Sequence, residues 1–320
     1  MAAQVARHGV LMRQAFSVAN HEVINWFPGH MAKGLTQMQQ KLKGVDCVVE
    51  VHDARIPLSG RNPLFEKRLG LATLKPHLLV MNKVDLADPR CRQDVKEYYE
   101  KQGVPQVIFT NCKEPNSPGV KSIVRKVSRA IKDSERYSRS EETSYSVMVI
   151  GIPNVGKSSL INALRARHLG RSKATRVGAM PGITQSVLEK IKVCEDPKVY
   201  LMDTPGVLAP RITNVEMGLK LALAATIKDH LVGEDIIADY LLYRLNHMGN
   251  HKYVKFLGLD APTDNIQDLL ISAAVRNNWL RRVRDHRGIN TCPDIMSTAA
   301  RFIRAFRMGV FGRITLDDVP

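Results

Sequence analysis

Short runs of β-branched and other apolar residues recur along the chain from residue 45 onward, and each is followed by residues typical of a loop. The runs are Val45–Val51, His77–Met81, Val107–Thr110, Val147–Ile150 and Val199–Met202. Continuous apolar runs of this length predict strands buried on both faces. Stretches with helical spacing lie between them, at 89–102, 117–134 and 156–168. This alternation predicts an α/β fold in which a mainly parallel sheet carries helices on both faces.

The composition is that of an ordinary globular protein. Of the 320 residues, 44% are hydrophobic and 24% charged, which is enough to build a core. At about 100–200 residues per domain, this length predicts two domains. The five cysteines are far apart and form no CxxC pair, which favours reduced thiols over a disulfide framework or a four-cysteine zinc site. No apolar run approaches the ~20 residues of a membrane-spanning helix.

A phosphate-binding loop is indicated by residues 151–158, GIPNVGKS, which match GxxxxGK[ST] between a predicted strand and a predicted helix. Glycines in such a loop let backbone N–H groups point at phosphate, and the helix N-terminus adds a favourable potential. Lys157 is expected to reach the outer phosphates, and Ser158 to hold Mg²⁺. The nucleotide-binding residues predicted here are Asn154, Val155, Gly156, Lys157, Ser158 and Ser159.

Asn82-Lys83-Val84-Asp85, at the end of a predicted strand, indicates which base is bound. A carboxylate at Asp85 can accept both the ring N–H and the exocyclic amine of guanine. Adenine has an acceptor at that ring position and would leave a buried charge unpaired. The segment therefore predicts a guanine nucleotide, GTP or GDP.

Two further segments fit the same chemistry. Asp203-Thr204-Pro205-Gly206 follows a predicted strand, so that Asp203 is expected to bind Mg²⁺ through water and the Gly206 N–H to sense the γ-phosphate. Thr184 lies between the phosphate-binding loop and this segment, and is expected to close on Mg²⁺ as a switch threonine.

The order of these motifs differs from that of an ordinary GTPase domain, in which the phosphate-binding loop comes first and NKxD last. Here residues 82–85 precede residues 151–158, so the domain resembles a circularly permuted GTPase. Such a permutation is tolerated because domain termini often lie close together. The segments 26–33, 53–57 and 62–63 (WFPGHMAK, DARIP and NP) are similar to the ribosome-biogenesis GTPase A (YlqF-type) family. The resemblance covers about residues 24–320.

The resemblance implies a circularly permuted P-loop G domain followed by a small helical domain that contacts RNA, acting late in assembly of a large ribosomal subunit. In this family the asparagine matching Asn154 is associated with K⁺, and the histidine matching His30 has been proposed to position the attacking water. The predicted catalytic residues are accordingly His30, Lys157 and Thr184. Val207 stands where Ras-type GTPases have glutamine, which implies slow turnover accelerated by a ribosomal particle.

A loop contacting the base is expected at Thr110, Asn111 and Cys112, after another predicted strand. Many GTPases have Ser/Thr-Ala at this place, so the sequence departs from the usual pattern there.

Charge favours a polyanionic partner. Lys and Arg number 47 against 31 Asp and Glu, a net charge of +16. Many arginines lie in two helix-like stretches near the C-terminus. Since the sequence has no zinc-finger spacing and no RRM pattern, we expect these arginines to recognise RNA mainly through its phosphates and its shape. A solvated helix face is the alternative interpretation. The predicted RNA contacts are Arg276, Arg281, Arg282, Arg284, Arg287, Arg301, Arg304 and Arg307.

The first 21 residues contain no Asp or Glu but include Arg7 and Arg13, a composition typical of a mitochondrial transit peptide. An ordinary N-terminal helix is the alternative. The predicted division is a transit segment at 1–22, the permuted GTPase domain at 23–225 and a helical domain contacting RNA and the ribosome at 230–320. With the resemblance, this predicts a monomer in the mitochondrial matrix that binds the mitochondrial large ribosomal subunit in its GTP form and leaves after hydrolysis.

Two other functions stay open on the sequence alone. The chain could be an RNA-binding scaffold that uses GTP only structurally. Val207 favours this function, and four intact residues oppose it: Lys157, Ser158, Thr184 and Asp203. It could also be a regulatory GTPase whose basic face contacts anionic lipid at the matrix face of the inner membrane.

Overall fold

The computed structural model describes residues 12–17, 29–69, 75–104, 106–136, 139–171, 190–209, 212, 214–285 and 288–320. The chain divides into two compact units. The first, which we call the sheet unit, comprises Ile24–Lys228 and Arg313–Pro320. The second, the helical unit, comprises Met1–Val23 and Asp229–Gly312.

The described strands of the sheet unit are β1 (Cys47–Asp53), β2 (His77–Asn82), β3 (Val107–Phe109), β4 (Tyr145–Ile150), β5 (Lys190–Cys194) and β6 (Val199–Met202). They form one sheet in the order β3-β2-β1-β4-β6-β5, and all neighbours are parallel except β5, which is antiparallel to β6. All seven residues of β1 are buried, as expected for a strand covered on both faces. The predicted α/β fold with a mainly parallel sheet is confirmed.

The helices of the sheet unit are α1 (Gly29–Leu42), α2 (Pro63–Leu69), α3 (Arg92–Lys101), α4 (Pro118–Lys132), α5 (Lys157–Leu169) and α6 (Val215–Leu223). In α4 the buried apolar residues recur every three or four positions, which is the spacing of one helix face. They are Val120, Ile123, Val124, Val127 and Ile131. The three helices predicted in this unit are confirmed, although a short 3₁₀ turn at Pro89–Cys91 precedes α3.

The helical unit contains α7 (Glu234–His247), α8 (Lys252–Leu257), α9 (Ile266–Arg276), the strands β7 (Leu280–Asp285) and β8 (Gly288–Pro293), and α10 (Ile295–Arg307). Its core includes Phe302, whose ring centroid lies 6.2 Å from that of Tyr253 and 5.5 Å from that of Phe311. Residues 12–17 also pack in this unit, where Arg13 Nη2 lies 2.7 Å from an oxygen of Asp239.

The prediction of helix-like stretches was wrong for Arg281, Arg282 and Arg284, which lie in β7 of an antiparallel hairpin with β8. Helix α9 ends at Arg276 because the chain reverses there. Asn278 adopts a left-handed φ of 55°, and the Trp279 N–H returns to the Ala274 carbonyl at 2.8 Å.

The division into units differs at both ends from the limits expected from sequence. Arg313–Pro320 pack with the sheet unit and not with the helical unit, and residues 12–17, within the predicted transit segment, pack with the helical unit. The transit segment itself stays a prediction. In the described part of the chain, no helix has the length and apolar character needed to cross a membrane.

Candidate nucleotide-binding site

The ends of neighbouring strands bring the predicted motifs to one edge of the sheet. Strand β1 is parallel to both β2 and β4, and its last residue, Asp53, pairs in register with Asn82, the last residue of β2. The loop 151–158 follows β4 and the segment 203–206 follows β6. Because the carboxyl ends of parallel strands share an edge, all four chain segments meet there, which is the usual place for a ligand in such a sheet.

Asn82 and Lys83 contact the phosphate-binding loop directly. The Asn82 side-chain amide donates to the Val155 carbonyl at 2.9 Å, and the Lys83 ammonium donates to the Asn154 carbonyl at 2.6 Å. The Asn82 amide oxygen accepts from the Cys112 N–H at 3.1 Å. Asn82 therefore holds together the NKVD segment, the phosphate-binding loop and the predicted base loop.

Lys83 is supported by a buried ion pair. Its ammonium lies 2.9 Å from Asp53 Oδ2, and Arg55 Nη2 lies 2.7 Å from the same oxygen. Burial opposes ionisation of Asp53, but the charges of Arg55 and Lys83 outweigh it and hold the pKa of that carboxyl below its usual range. Burial also lowers the pKa of Lys83. This ion pair fixes the start of the NKVD segment to the end of β1.

Lys157 lies inside the turn of the phosphate-binding loop. Its ammonium donates to the carbonyls of Gly151 and Ile152 at 3.1 and 2.9 Å. Burial lowers the pKa of Lys157 to about 8. Gly156 has a φ of 100°, and a Cβ there would overlap the Asn82 amide, so this position requires glycine.

Asp203 and Ser158 form a pair at the first turn of α5. The Ser158 hydroxyl donates to Asp203 Oδ2 at 2.6 Å. Asp203 is fully buried, burial raises its pKa, and no donor among the described residues reaches its Oδ1. A buried carboxylate oxygen beside a hydroxyl fits a hard divalent cation, and Mg²⁺ takes much of its remaining coordination from water and substrate phosphate.

The segment 203–206 packs against the phosphate-binding loop. A Cβ at Gly206 would lie 2.5 Å from Pro153 Cα, so a side chain larger than hydrogen would push the two apart. The Thr204 hydroxyl donates to the Val149 carbonyl at 2.6 Å and anchors the segment to β4. The Gly206 backbone is therefore held beside the loop.

Asp85 is the last residue of the NKVD segment, which follows β2. Its Oδ2 accepts from the Lys113 ammonium at 3.2 Å, while its Oδ1 is buried and meets no donor from the described part of the chain. Beside it, burial raises the pKa of Cys112 to about 12, so this thiol stays protonated at neutral pH. The Thr110 hydroxyl donates to the Asn82 amide oxygen at 3.3 Å, which holds the predicted base loop in place.

Asp53 and Asn62 lie in the family-matched segments 53–57 and 62–63, but the sequence predicted no contact for either side chain. Besides the ion pair of Asp53, the Asn62 side-chain amide donates to the Val207 carbonyl at 2.7 Å, just after Gly206. For Asp53, the available signal was its place at the end of a buried strand. No local pattern singles out Asn62, because its acceptor is distant in sequence.

Two predicted site residues, Thr184 and Arg287, lie outside the described residues, as do residues 26–28 of the family-matched segment. His30 lies in the first turn of α1, but its side chain is also outside the described part of the chain. Position 30 is one helical turn before Gly34 and on the same helix face. At Gly34 a Cβ would lie 2.8 Å from Pro205 Cγ, so this face of α1 adjoins the segment 203–206.

The arginines predicted to contact RNA differ in their surroundings. Arg276 forms an ion pair with Asp260, Arg307 Nη2 lies 2.6 Å from Asp229, and the Arg301 guanidinium lies 4.9 Å from the centre of the Trp279 ring. Four others are exposed: Arg281, Arg282 and Arg284 on the hairpin and Arg304 on α10.

A phosphate-binding loop, a DxxG segment and an NKxD segment around one edge of a parallel sheet define the class of P-loop GTPases. Because β1, β2 and β3 precede the strand of the phosphate-binding loop, the G domain is circularly permuted. A family model described as 50S ribosome-binding GTPase matches residues 146–252, a range that leaves out residues 82–85.

Comparison with known proteins gives the family. The chain is 52% identical over 311 residues to mitochondrial ribosome-associated GTPase 1 of Xenopus tropicalis, covering 96% of this chain and 98% of that one. It is 33% identical to ribosome biogenesis GTPase A of Priestia megaterium, over 92% and 96% of the two chains. The crystal structure of GNP-bound YlqF from T. maritima shares its fold, with a TM-score of 0.56 at 22% identity and coverage of 89% and 97%. The chain belongs to the mitochondrial ribosome-associated GTPase 1 family, and it binds and hydrolyses GTP. The resemblance and activity predicted from sequence are confirmed.

Proposed function

We propose that this GTPase is an assembly factor of the mitochondrial large ribosomal subunit. In its GTP form it binds the subunit and promotes late maturation, and after hydrolysis it leaves, which supports mitochondrial translation. The observation that carries the nucleotide chemistry is the contact of Asn82 and Lys83 with the phosphate-binding loop. The ribosomal part rests on the names of the relatives, ribosome-associated in Xenopus tropicalis and ribosome biogenesis in Priestia megaterium.

Asp85 is the group proposed to select guanine. Its buried Oδ1 lacks a donor among the described residues, and the ring N–H and exocyclic amine of guanine supply two. The proposed nucleotide-binding residues are Asn82, Lys83, Val84, Asp85, Thr110, Asn111, Cys112, Asn154, Val155, Gly156, Lys157, Ser158, Ser159 and Gly206.

Lys157 would exchange its two carbonyl acceptors for the outer phosphate oxygens, which favour its charged form. Ser158, Asp203 and Thr184 would hold Mg²⁺, which when bound neutralises charge on the β- and γ-phosphates. Asn154 is the proposed ligand of K⁺. His30 is the proposed positioning group for water, since Val207 is apolar and fully buried.

The direct test of this function is nucleotide-dependent binding to the particle. The full chain is mixed with isolated mitochondrial large subunits and either a non-hydrolysable GTP analogue or GDP, and then sedimented. We expect co-sedimentation with the analogue and release with GDP. Equal binding in the two states would contradict the proposed cycle, while absence of binding in both would remove the ribosomal partner.

The hairpin arginines are proposed to contact ribosomal RNA. Because they are exposed while Arg276 and Arg307 form ion pairs within the unit, reversing Arg281, Arg282 and Arg284 to Glu should weaken RNA binding. The dependence of binding on salt should flatten by about one phosphate contact per arginine.

The matched control for this prediction reverses three exposed lysines of the sheet unit, with the same change of net charge. Those lysines are Lys67, Lys96 and Lys101. Binding is measured across a salt titration for both triple variants. Equal losses would show that only net charge matters, and unchanged binding of the hairpin variant would assign its arginines to a solvated face.

The names of the relatives support a mitochondrial location, and we propose that the chain acts as a monomer in the matrix, where its particle is assembled. Peripheral contact with the matrix face of the inner membrane is a second proposal for the basic surface, since the net charge of +16 also suits anionic lipid. Flotation with anionic vesicles, with and without competing RNA, separates the two partners.

A further inference from the structure

The segment Arg313–Pro320 packs with the sheet unit through backbone bonds near the nucleotide site. The Ile314 N–H donates to the Leu86 carbonyl at 2.9 Å, and the Leu316 N–H donates to the Arg55 carbonyl at 2.7 Å. Val319 packs against a cluster of buried residues that includes Ala54. We call this segment the tail; it contacts the chain immediately after Asp85 and again immediately after β1.

Asp317 makes the most specific of these contacts. Its Oδ2 accepts from the N–H groups of Leu58 and Ser59, both at 2.8 Å, and its Oδ1 accepts from the Ser59 hydroxyl at 2.5 Å. The residue Asp317 is 6% exposed, and the Lys220 ammonium of α6 lies 3.4 Å from Oδ1. Charge-assisted hydrogen bonds to a buried carboxylate are among the stronger ones in proteins. Asp317 therefore holds the turn at Leu58 and Ser59 in place by three hydrogen bonds.

That turn lies between two groups of the nucleotide site. The loop 54–62 begins after Asp53, whose carboxylate supports Lys83 at 2.9 Å. It ends at Asn62, whose amide donates to the Val207 carbonyl beside Gly206. Lys220, the cation next to Asp317, belongs to the helix that follows the segment 203–206. The tail thus contacts Arg55, which belongs to the ion pair at the base end of the site, and Ser59, which lies on the loop that leads to Asn62 at the phosphate end.

We propose that the tail, through Asp317, positions the loops of the nucleotide site and thereby slows release of guanine nucleotide. No tail residue needs to touch the nucleotide. Loops that are already ordered lose less conformational entropy when they close on a ligand, so removing their anchor weakens binding. The inference rests on the proposed nucleotide site, and Asp317 acts as a positioning residue.

The test is the rate of GDP dissociation from the full chain, measured with a fluorescent GDP analogue chased by unlabelled nucleotide. Asp317→Ala should release GDP about tenfold faster, the change that corresponds to ~1.4 kcal/mol. Asp317→Asn, which keeps one acceptor oxygen, should lie between this variant and the wild type. Asp318→Ala is the matched control, because the neighbouring Asp318 is exposed.

A second readout separates positioning from a general loss of stability. Melting temperatures are measured with and without GDP, and the stabilisation by GDP should shrink in Asp317→Ala. An equal drop in both temperatures with unchanged GDP release would overturn the proposal. If that variant does not fold, Ser59→Ala, which removes only the hydroxyl hydrogen bond, takes its place, and unchanged release from it would overturn the proposal equally. Failure of the nucleotide site itself would show separately, as unaltered guanine preference in Asp85→Asn.

Discussion

Asp85→Asn is expected to shift nucleotide preference from guanine to xanthine by about 10²-fold or more. The Asp85 carboxylate can only accept hydrogen bonds, which suits the ring N–H and amine of guanine. An asparagine amide keeps one acceptor for the ring N–H and presents a donor to the carbonyl that xanthine has in place of the amine. GTP would then place two donors opposite each other, while XTP would be paired at both positions.

The measurement for this variant is competition of GTP and XTP for a fluorescent guanine nucleotide. Asp88→Asn is the control, since Asp88 lies three residues after Asp85 but its carboxylate pairs with Arg90. Folding of Asp85→Asn should be intact, because the only described partner of the Asp85 carboxylate is the exposed Lys113. Retained preference for GTP would mean that the base is recognised elsewhere.

Lys157→Ala and His30→Ala are expected to separate binding from chemistry. Lys157 contacts phosphate throughout the cycle in the proposed site, so its loss should lower nucleotide affinity and turnover together. A group that only orders water acts in the transition state and leaves affinity unchanged. Such positioning and proton handling contribute ~10²–10⁴-fold to the rate. His30→Ala should therefore bind GTP and the particle normally and lose most of the particle-stimulated hydrolysis.

Three quantities decide this second prediction: nucleotide affinity, co-sedimentation with the large subunit, and stimulated turnover. Lys33→Ala, an exposed position on the same helix, is the control for His30. The variant at His30 should stay on the particle because it remains in the GTP form. Stimulated turnover at the wild-type level would make His30 a structural residue of the segment 26–33 and leave the water to ribosomal groups.

The elements that the sequence did not predict are stabilised by contacts between residues distant in the chain, or have no distinctive local pattern. Strand β5 was not predicted, because Lys190 and Lys192 interrupt its apolar pattern. It forms by pairing with β6 at the edge of the sheet. The hairpin of β7 and β8 was not predicted, because consecutive arginines are equally compatible with an exposed helix and an exposed strand. What decides between them is the reversal at Asn278, which has no strong sequence signature.

The sequence by itself determined the class of the protein and the order of its motifs, because both depend on short runs of residues. Buried apolar strands, the loop 151–158 and the NKVD segment are local patterns whose spacing is set by backbone geometry. Only the tertiary structure decided how these pieces support one another. Asp317 lies more than 250 residues from Ser59 along the chain, and Asn62 lies far from Val207. Such contacts form only after the chain has folded back on itself, because a hydrogen bond requires its donor and acceptor to be close in space. Neither the spacing of motifs along the sequence nor the amino-acid composition gives that distance.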